Sequence, residues 1–236
     1  MEEITYKMLK DNLNLLQNED KNPKYAKDLI HIQEIIKKYP SNKIEDYNEV
    51  LLKICYIDMI AGTNLIRNLG KKGGLYTLAD AIIDSDFDKR IIKYDYRLLI
   101  DIANKLKGDE DIDKNLFSFI SKYCVYHNCY AYNRDDYAIV DNVLCDNLKR
   151  FISQEEYEIL CEPDEENKRL SSKAFYRMKD NIGDDKGIIK GNNYNTYVKV
   201  INKILENAKK DAKIDQPKRA LDLYIWNKYK PKKQDE

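Results

Sequence analysis

No run of apolar residues in the 236-residue sequence reaches the length that spans a bilayer, so no transmembrane helix is predicted. The chain opens on Met1-Glu2-Glu3, without the basic-then-apolar leader of a secreted protein. No disulfide framework is apparent either: the five cysteines (Cys55, Cys124, Cys129, Cys145 and Cys161) are odd in number and irregular in spacing. Reduced thiols and a cytoplasmic location are therefore expected. Charge of one sign is also missing, since 41 basic residues face 41 acidic ones, and this balance excludes a coat protein held to nucleic acid by bulk attraction. The one glycine-rich basic stretch, "GKKGG" at 70–74, lacks the preceding strand and the final Ser or Thr of a phosphate-binding loop, and reads as a helix stop.

What the sequence does contain is helical periodicity. Leu9, Leu13 and Leu16 share one face, Tyr47, Val50, Leu51 and Ile54 another, and Val198, Ile201, Leu205 and Ala208 a third. Alternating strand patterns and internal repeats are lacking. The pattern predicts an all-α protein with helices near 4–17, 24–39, 46–69, 75–84, 88–107, 112–127, 140–151, 171–180, 193–211 and 217–229. With 43% hydrophobic residues the chain can bury a core as one multi-helix domain over 1–236. Two helical subdomains, about 1–110 and 111–230, would leave a cleft between them, and 230–236 form a basic tail.

An aromatic segment, "FSFISKYCVYHNCYAYNRDDYAIVDN" at 117–142, holds the most chemistry. Lys122 lies among Phe117, Phe119, Tyr123 and Tyr126, surroundings that disfavour an ammonium, although a lysine on such a helix also suits a snorkelling surface position. The polar residues Asn133, Arg134, Asp135 and Asp136 suit a turn, after which Asp141 stands where a new helix starts and can cap it. His127 is expected at a helix end as a hydrogen-bonded or capping residue. Cys124, His127, Cys129 and Cys145 are zinc-type ligands, but their spacing matches no familiar site, and Cys124 and Cys145 equally suit small buried positions. Neither a metal nor a cofactor is implied.

"FSFISKYCVYHN" followed by "YAIVDNVL" resembles the core of helix-hairpin-helix base-excision DNA glycosylases, in the bacterial branch related to 8-oxoguanine glycosylases. In that superfamily a lysine precedes, by some twenty residues, an aspartate at the start of the next helix; here Lys122 precedes Asp141 by 19 positions. "AGTNL", with Thr63 and Asn64, resembles a Thr-Asn pair of an early helix. In "ALDLYIWNKYK", Asp222 and Trp226 resemble a base-reading acid and a stacking aromatic. The glycine-bearing hairpin before the lysine and the iron-sulfur cysteines of some relatives have no counterpart here.

The resemblance implies a glycosylase with AP-lyase activity on a damaged or modified base, oxidised guanine first. Lys122 would form a Schiff base with the sugar, and Asp141 would stabilise the sugar cation. Trp226, Asp222, Tyr126, Asn64 and His127 would contact the flipped base. DNA is the implied partner, with no membrane and no obligatory protein partner. The other reading of the same residues is a noncatalytic helical module, nucleic-acid-binding or phage-defence-associated, in which Trp226 is a core anchor and Asp222 pairs with Lys218.

Overall fold

A computed structural model describes residues 1–18, 20–21, 23–61, 65, 74–107, 115–160, 170, 175 and 194–230. Among these the protein is all-α, with no strand beyond an isolated bridge between Thr5 and Lys209. The helices are α1 Tyr6–Gln17, α2 Pro23–Lys38, α3 Tyr47–Ala61, α4 Gly74–Ile83, α5 Phe87–Ile92, α6 Arg97–Lys107, α7 Asn115–Tyr130, α8 Asn142–Asn147, α9 Gln154–Leu160, α10 Tyr194–Asn207 and α11 Pro217–Tyr229. The chain forms two compact units, Gln17–Tyr137 and Met1–Leu16 with Ala138–Glu236. The expected division near residue 110 falls inside the first of these.

In the Gln17–Tyr137 unit α7 is the central helix, buried at every position from Leu116 to Cys129 and packed by α2, α3, α5 and α6. A helix with aromatic or aliphatic residues on all its faces has no side to give to water. His127 lies in the last turn of this helix, as expected, and is buried there.

The helix expected over 88–107 is two, α5 and α6, and no glycine or proline marks the break. Tyr94 takes the left-handed conformation there (φ 52°), which is uncommon for a bulky residue. Arg90 holds the corner shut, its Nε donating to Asp95 Oδ2 and its Nη2 to Asp101 Oδ2, both at 2.7 Å. After α7, Asn133 is left-handed as well (φ 51°), in the turn its neighbours predicted.

The other unit gathers α1 and α8 to α11. An aromatic series runs through its core: Tyr157 meets Phe175 edge-on at 5.9 Å, Phe175 meets Tyr197 at 6.3 Å, and Tyr197 stacks on Tyr194 at 6.4 Å. Helix α9 lies outside the predicted set. Its start is a capping box, with Glu156 N donating to Ser153 Oγ and Ser153 N to Glu156 Oε2, each at 3.2 Å. Of the helix expected over 171–180, only Phe175 falls within the described residues.

Candidate catalytic residues

Lys122 sits midway along α7 and is buried, 9% of the residue being exposed. Phe117, Phe119, Tyr123 and Tyr126 are buried beside it on the same helix, as the aromatic run required. Tyr126, one turn on, stacks on Tyr130 at 6.0 Å. His127 Nδ1 donates to Tyr123 O (3.0 Å), and the ring lies between those of Tyr123 and Phe87. Burial first, then the nearby Lys53 charge, pushes the imidazole well below its usual pKa, so it is neutral at physiological pH. A neutral ring wedged between aromatics suits packing better than proton transfer.

A second buried lysine in this unit was not legible as a site residue. Lys53 of α3 is fully buried, and its three ammonium protons reach Tyr39 O (2.9 Å), Ser41 O (2.6 Å) and Asn42 Oδ1 (2.8 Å). Asn42 Oδ1 also accepts from Tyr123 OH at 2.6 Å. Through its amide and backbone N–H, Asn42 clasps the Asp88 carboxylate at 2.8 and 2.9 Å, and Tyr132 OH donates to the same carboxylate. Burial pulls the Lys53 pKa down to about 8, opposed chiefly by Asp88. With all three protons committed, Lys53 ties the Tyr39–Asn42 segment to α3, Tyr123 ties Asn42 to α7, and the Lys53 amine is not available to attack. The sequence signal was a lysine between Leu52 and Ile54 in the apolar run from Val50 to Ile57; Pro40-Ser41-Asn42 read only as a break.

In the other unit the backbone entering α8 is extended and pinned from α10. Tyr194 OH donates to Ala138 O and accepts from Ala138 N, each at 2.9 Å, and Tyr197 OH donates to Ile139 O at 2.9 Å. This fixes Asp141, which caps α8 by accepting from Leu144 N at 3.0 Å, the structural role expected of it. Asp141 and Asp222 both lie near the buried Tyr197 phenol. Burial foremost, with Cys145 and these two carboxylates behind it, holds that phenol well above its ordinary pKa.

Asp222 is paired with Arg219 one turn before it, both side chains buried. Trp226 follows one turn later, half-buried, with Lys230 Nζ 3.9 Å from its ring centroid. The structure thus brings Asp141, Asp222 and Tyr197 together within one unit, and Lys122, Tyr126 and His127 onto one helix of the other. Asn64 and its neighbour Thr63 lie outside the described residues. Among the described residues no three His, Cys, Asp or Glu side chains are grouped to hold a metal ion. Cys124 is a buried thiol whose pKa burial drives upward.

No curated protein and no solved structure matches the chain. A family model described as the HI_0787_N N-terminal domain matches residues 8–136, from α1 to within one residue of the end of the Gln17–Tyr137 unit. Because that match covers more than half of the 236 residues, the chain belongs to the HI_0787_N N-terminal domain family.

Proposed function

We propose that the protein is a DNA glycosylase with associated AP-lyase activity, of the helix-hairpin-helix kind, acting on a damaged or modified base with oxidised guanine as the first substrate to try. The observation that carries this reading is Lys122, a lysine kept from water on a helix buried from Leu116 to Cys129. Lysine is the side chain whose amine can attack a sugar carbon and form a Schiff base with it. In the proposed step Lys122 Nζ bonds to C1′ of the deoxyribose as the N-glycosidic bond breaks and the base leaves with the bonding pair. The C1′–O4′ bond then breaks, with the amine proton passing to O4′, to open the ring and give the Schiff base; loss of a C2′ proton drives β-elimination, which expels the 3′ phosphate. Positive charge on the sugar rises as the base departs, and the Asp141 carboxylate would stabilise it. Tyr126, Asp222 and Trp226 would hold the flipped base.

The test is reductive trapping. Borohydride added during incubation with DNA carrying an oxidised guanine or an abasic site should give a covalent protein–DNA adduct, and Lys122→Gln should abolish it. Absence of an adduct over a panel of lesions at low salt sinks the reading. A noncatalytic nucleic-acid-binding module is the second reading, favoured by one observation: Lys230 already covers the Trp226 ring on which a base would stack. That reading expects DNA affinity without base release.

A further inference from the structure

The segment before α1 places a carboxylate in a cradle of donors that the glycosylase reading does not use. Glu2 Oε2 accepts from Lys228 Nζ at 2.8 Å and from Tyr229 OH at 2.5 Å, and Glu2 Oε1 faces Arg150 Nη1 at 3.4 Å. These donors are held in place independently of Glu2. Arg150 Nε donates to Asn147 Oδ1 at 2.9 Å, and Asn147 is itself fixed by its bond to Val143 O. The Arg150 guanidinium lies 5.0 Å over the Tyr229 ring, Lys228 Nζ reaches Tyr224 OH at 3.2 Å, and Phe151 packs edge-on against Tyr229 at 6.1 Å. All of these groups belong to one compact unit.

We propose that Arg150, Lys228 and Tyr229 form a phosphate-binding site that Glu2 of the same chain occupies as a built-in competitor. Charge is the first argument. Two cations face one carboxylate, so a single negative charge leaves the cradle under-neutralised, whereas a phosphate group brings up to two charges and three acceptor oxygens for the same donors. The guanidinium fork suits a tetrahedral oxyanion as well as it suits a carboxylate.

Weakness of the present occupant is the second argument. Glu2, Arg150 and Lys228 are each 35–47% exposed at the side chain, where a carboxylate pair contributes little and is readily exchanged. The third is room to exchange. Glu2 is held by one backbone bond, Glu2 N to Arg150 O at 2.6 Å, while Ile4 beyond it is buried and bridged to Lys209. Release of Glu2 breaks that one backbone bond and leaves the buried Ile4 and its bridge in place.

The test uses the full chain with three probes at matched ionic strength: inorganic phosphate, an undamaged single-stranded oligonucleotide, and chloride as control. Glu2→Gln keeps the shape and removes the competing charge, so phosphate should bind about tenfold more tightly than to the parent, the effect of freeing one charge-assisted acceptor position. Adding Arg150→Gln and Lys228→Gln to Glu2→Gln should erase that gain. If the oligonucleotide gains alongside inorganic phosphate, the natural source is a nucleic-acid backbone; if inorganic phosphate alone gains, it is a free phosphate compound.

Equal phosphate affinity in Glu2→Gln and parent, or a gain that survives in the triple variant, overturns the proposal. Should Glu2→Gln lower the melting temperature, the phosphate-induced rise in that temperature, compared between Glu2→Gln and the triple variant, reads the same effect. Because Lys122 is untouched, adduct trapping in these variants stays a separate readout, and failure of one proposal leaves the other standing.

Discussion

Both units bury charge, and they do it in opposite ways. The Gln17–Tyr137 unit encloses the Lys53 ammonium among two backbone carbonyls and an amide oxygen, with its nearest carboxylate, Asp88, a step away on the far side of Asn42. The unit holding the chain's two ends sets Arg219 directly against Asp222. Neutral acceptors satisfy the hydrogen-bonding needs of a cation without cancelling its charge, and Lys53 accordingly has a pKa pulled down to about 8. The direct pair cancels charge, and neither partner can then be removed alone. Polar burial in the first unit fixes a turn, and in the second it fixes the helix that carries Trp226.

The largest expected effect breaks the direct pair. Arg219→Met leaves the Asp222 carboxylate buried without its guanidinium and should lower unfolding free energy by about 3–5 kcal/mol, read from urea midpoints at unchanged slope. A change below about 1 kcal/mol would erase the contrast between the units. Next is Asn42→Ala, which strips an acceptor from both Lys53 and Tyr123 and two donors from Asp88. It should cost about 2–3 kcal/mol. Lys53→Met should cost less than Asn42→Ala, because it removes the poorly solvated charge along with its bonds. The reverse order would mean that the ammonium, not the amide, holds the turn.

Acid sharpens the comparison further. The folded state holds His127 well below 6.5 through burial and the Lys53 charge, with the Tyr123 carbonyl pulling weakly the other way and the Phe87 and Tyr123 rings closing it in. Below pH 6.5 the unfolded chain therefore takes up a proton that the folded chain refuses. Stability is fully present above 6.5 and falls as pH drops beneath it, by up to about 1.4 kcal/mol per pH unit for one proton. His127→Phe keeps a ring in the stack and removes the titration, so chemical-denaturation curves between pH 7 and 5 should lose that component of the slope. An unchanged slope would mean that other groups carry the acid sensitivity.

Sequence reasoning reached what depends on neighbours along the chain. The face of Val198, Ile201, Leu205 and Ala208 is buried throughout as the 3.6-residue period required, Leu9, Leu16, Val50 and Ile54 are buried while Leu13, Tyr47 and Leu51 beside them are half-buried, and α11 runs over the predicted 217–229. Asp141 stands at its cap because Asp before a helical run has a local use. The Tyr94 corner had no such signal: its left-handed backbone is imposed by Arg90 reaching Asp95 and Asp101, a tertiary arrangement of residues that each suit a helix. The Lys53 web was hidden for the same reason, since its partners at 39–42, 88, 123 and 132 meet only in the fold. Arg219 was one position from the pairing considered at Lys218, and Ser153-Gln154-Glu155-Glu156 carried a capping box that does mark α9.

The smallest expected change in stability carries the sharpest test of function. Asparagine caps a helix about as well as aspartate, so Asp141→Asn should retain the bond to Leu144 N and shift unfolding free energy by a few tenths of a kcal/mol, whereas Asp141→Ala should cost about 1 kcal/mol. If Asp141 also stabilises a sugar cation, charge is what matters, and Asp141→Asn should lose base release while DNA affinity stays close to that of the parent. The two variants thus separate the roles: a cap depends on an acceptor oxygen, which both Asp and Asn supply, and the proposed chemistry depends on a negative charge, which Asn lacks. Base release by Asp141→Asn at the parent rate would return Asp141 to the cap alone, and would leave Lys122 as the single residue on which the catalytic reading stands.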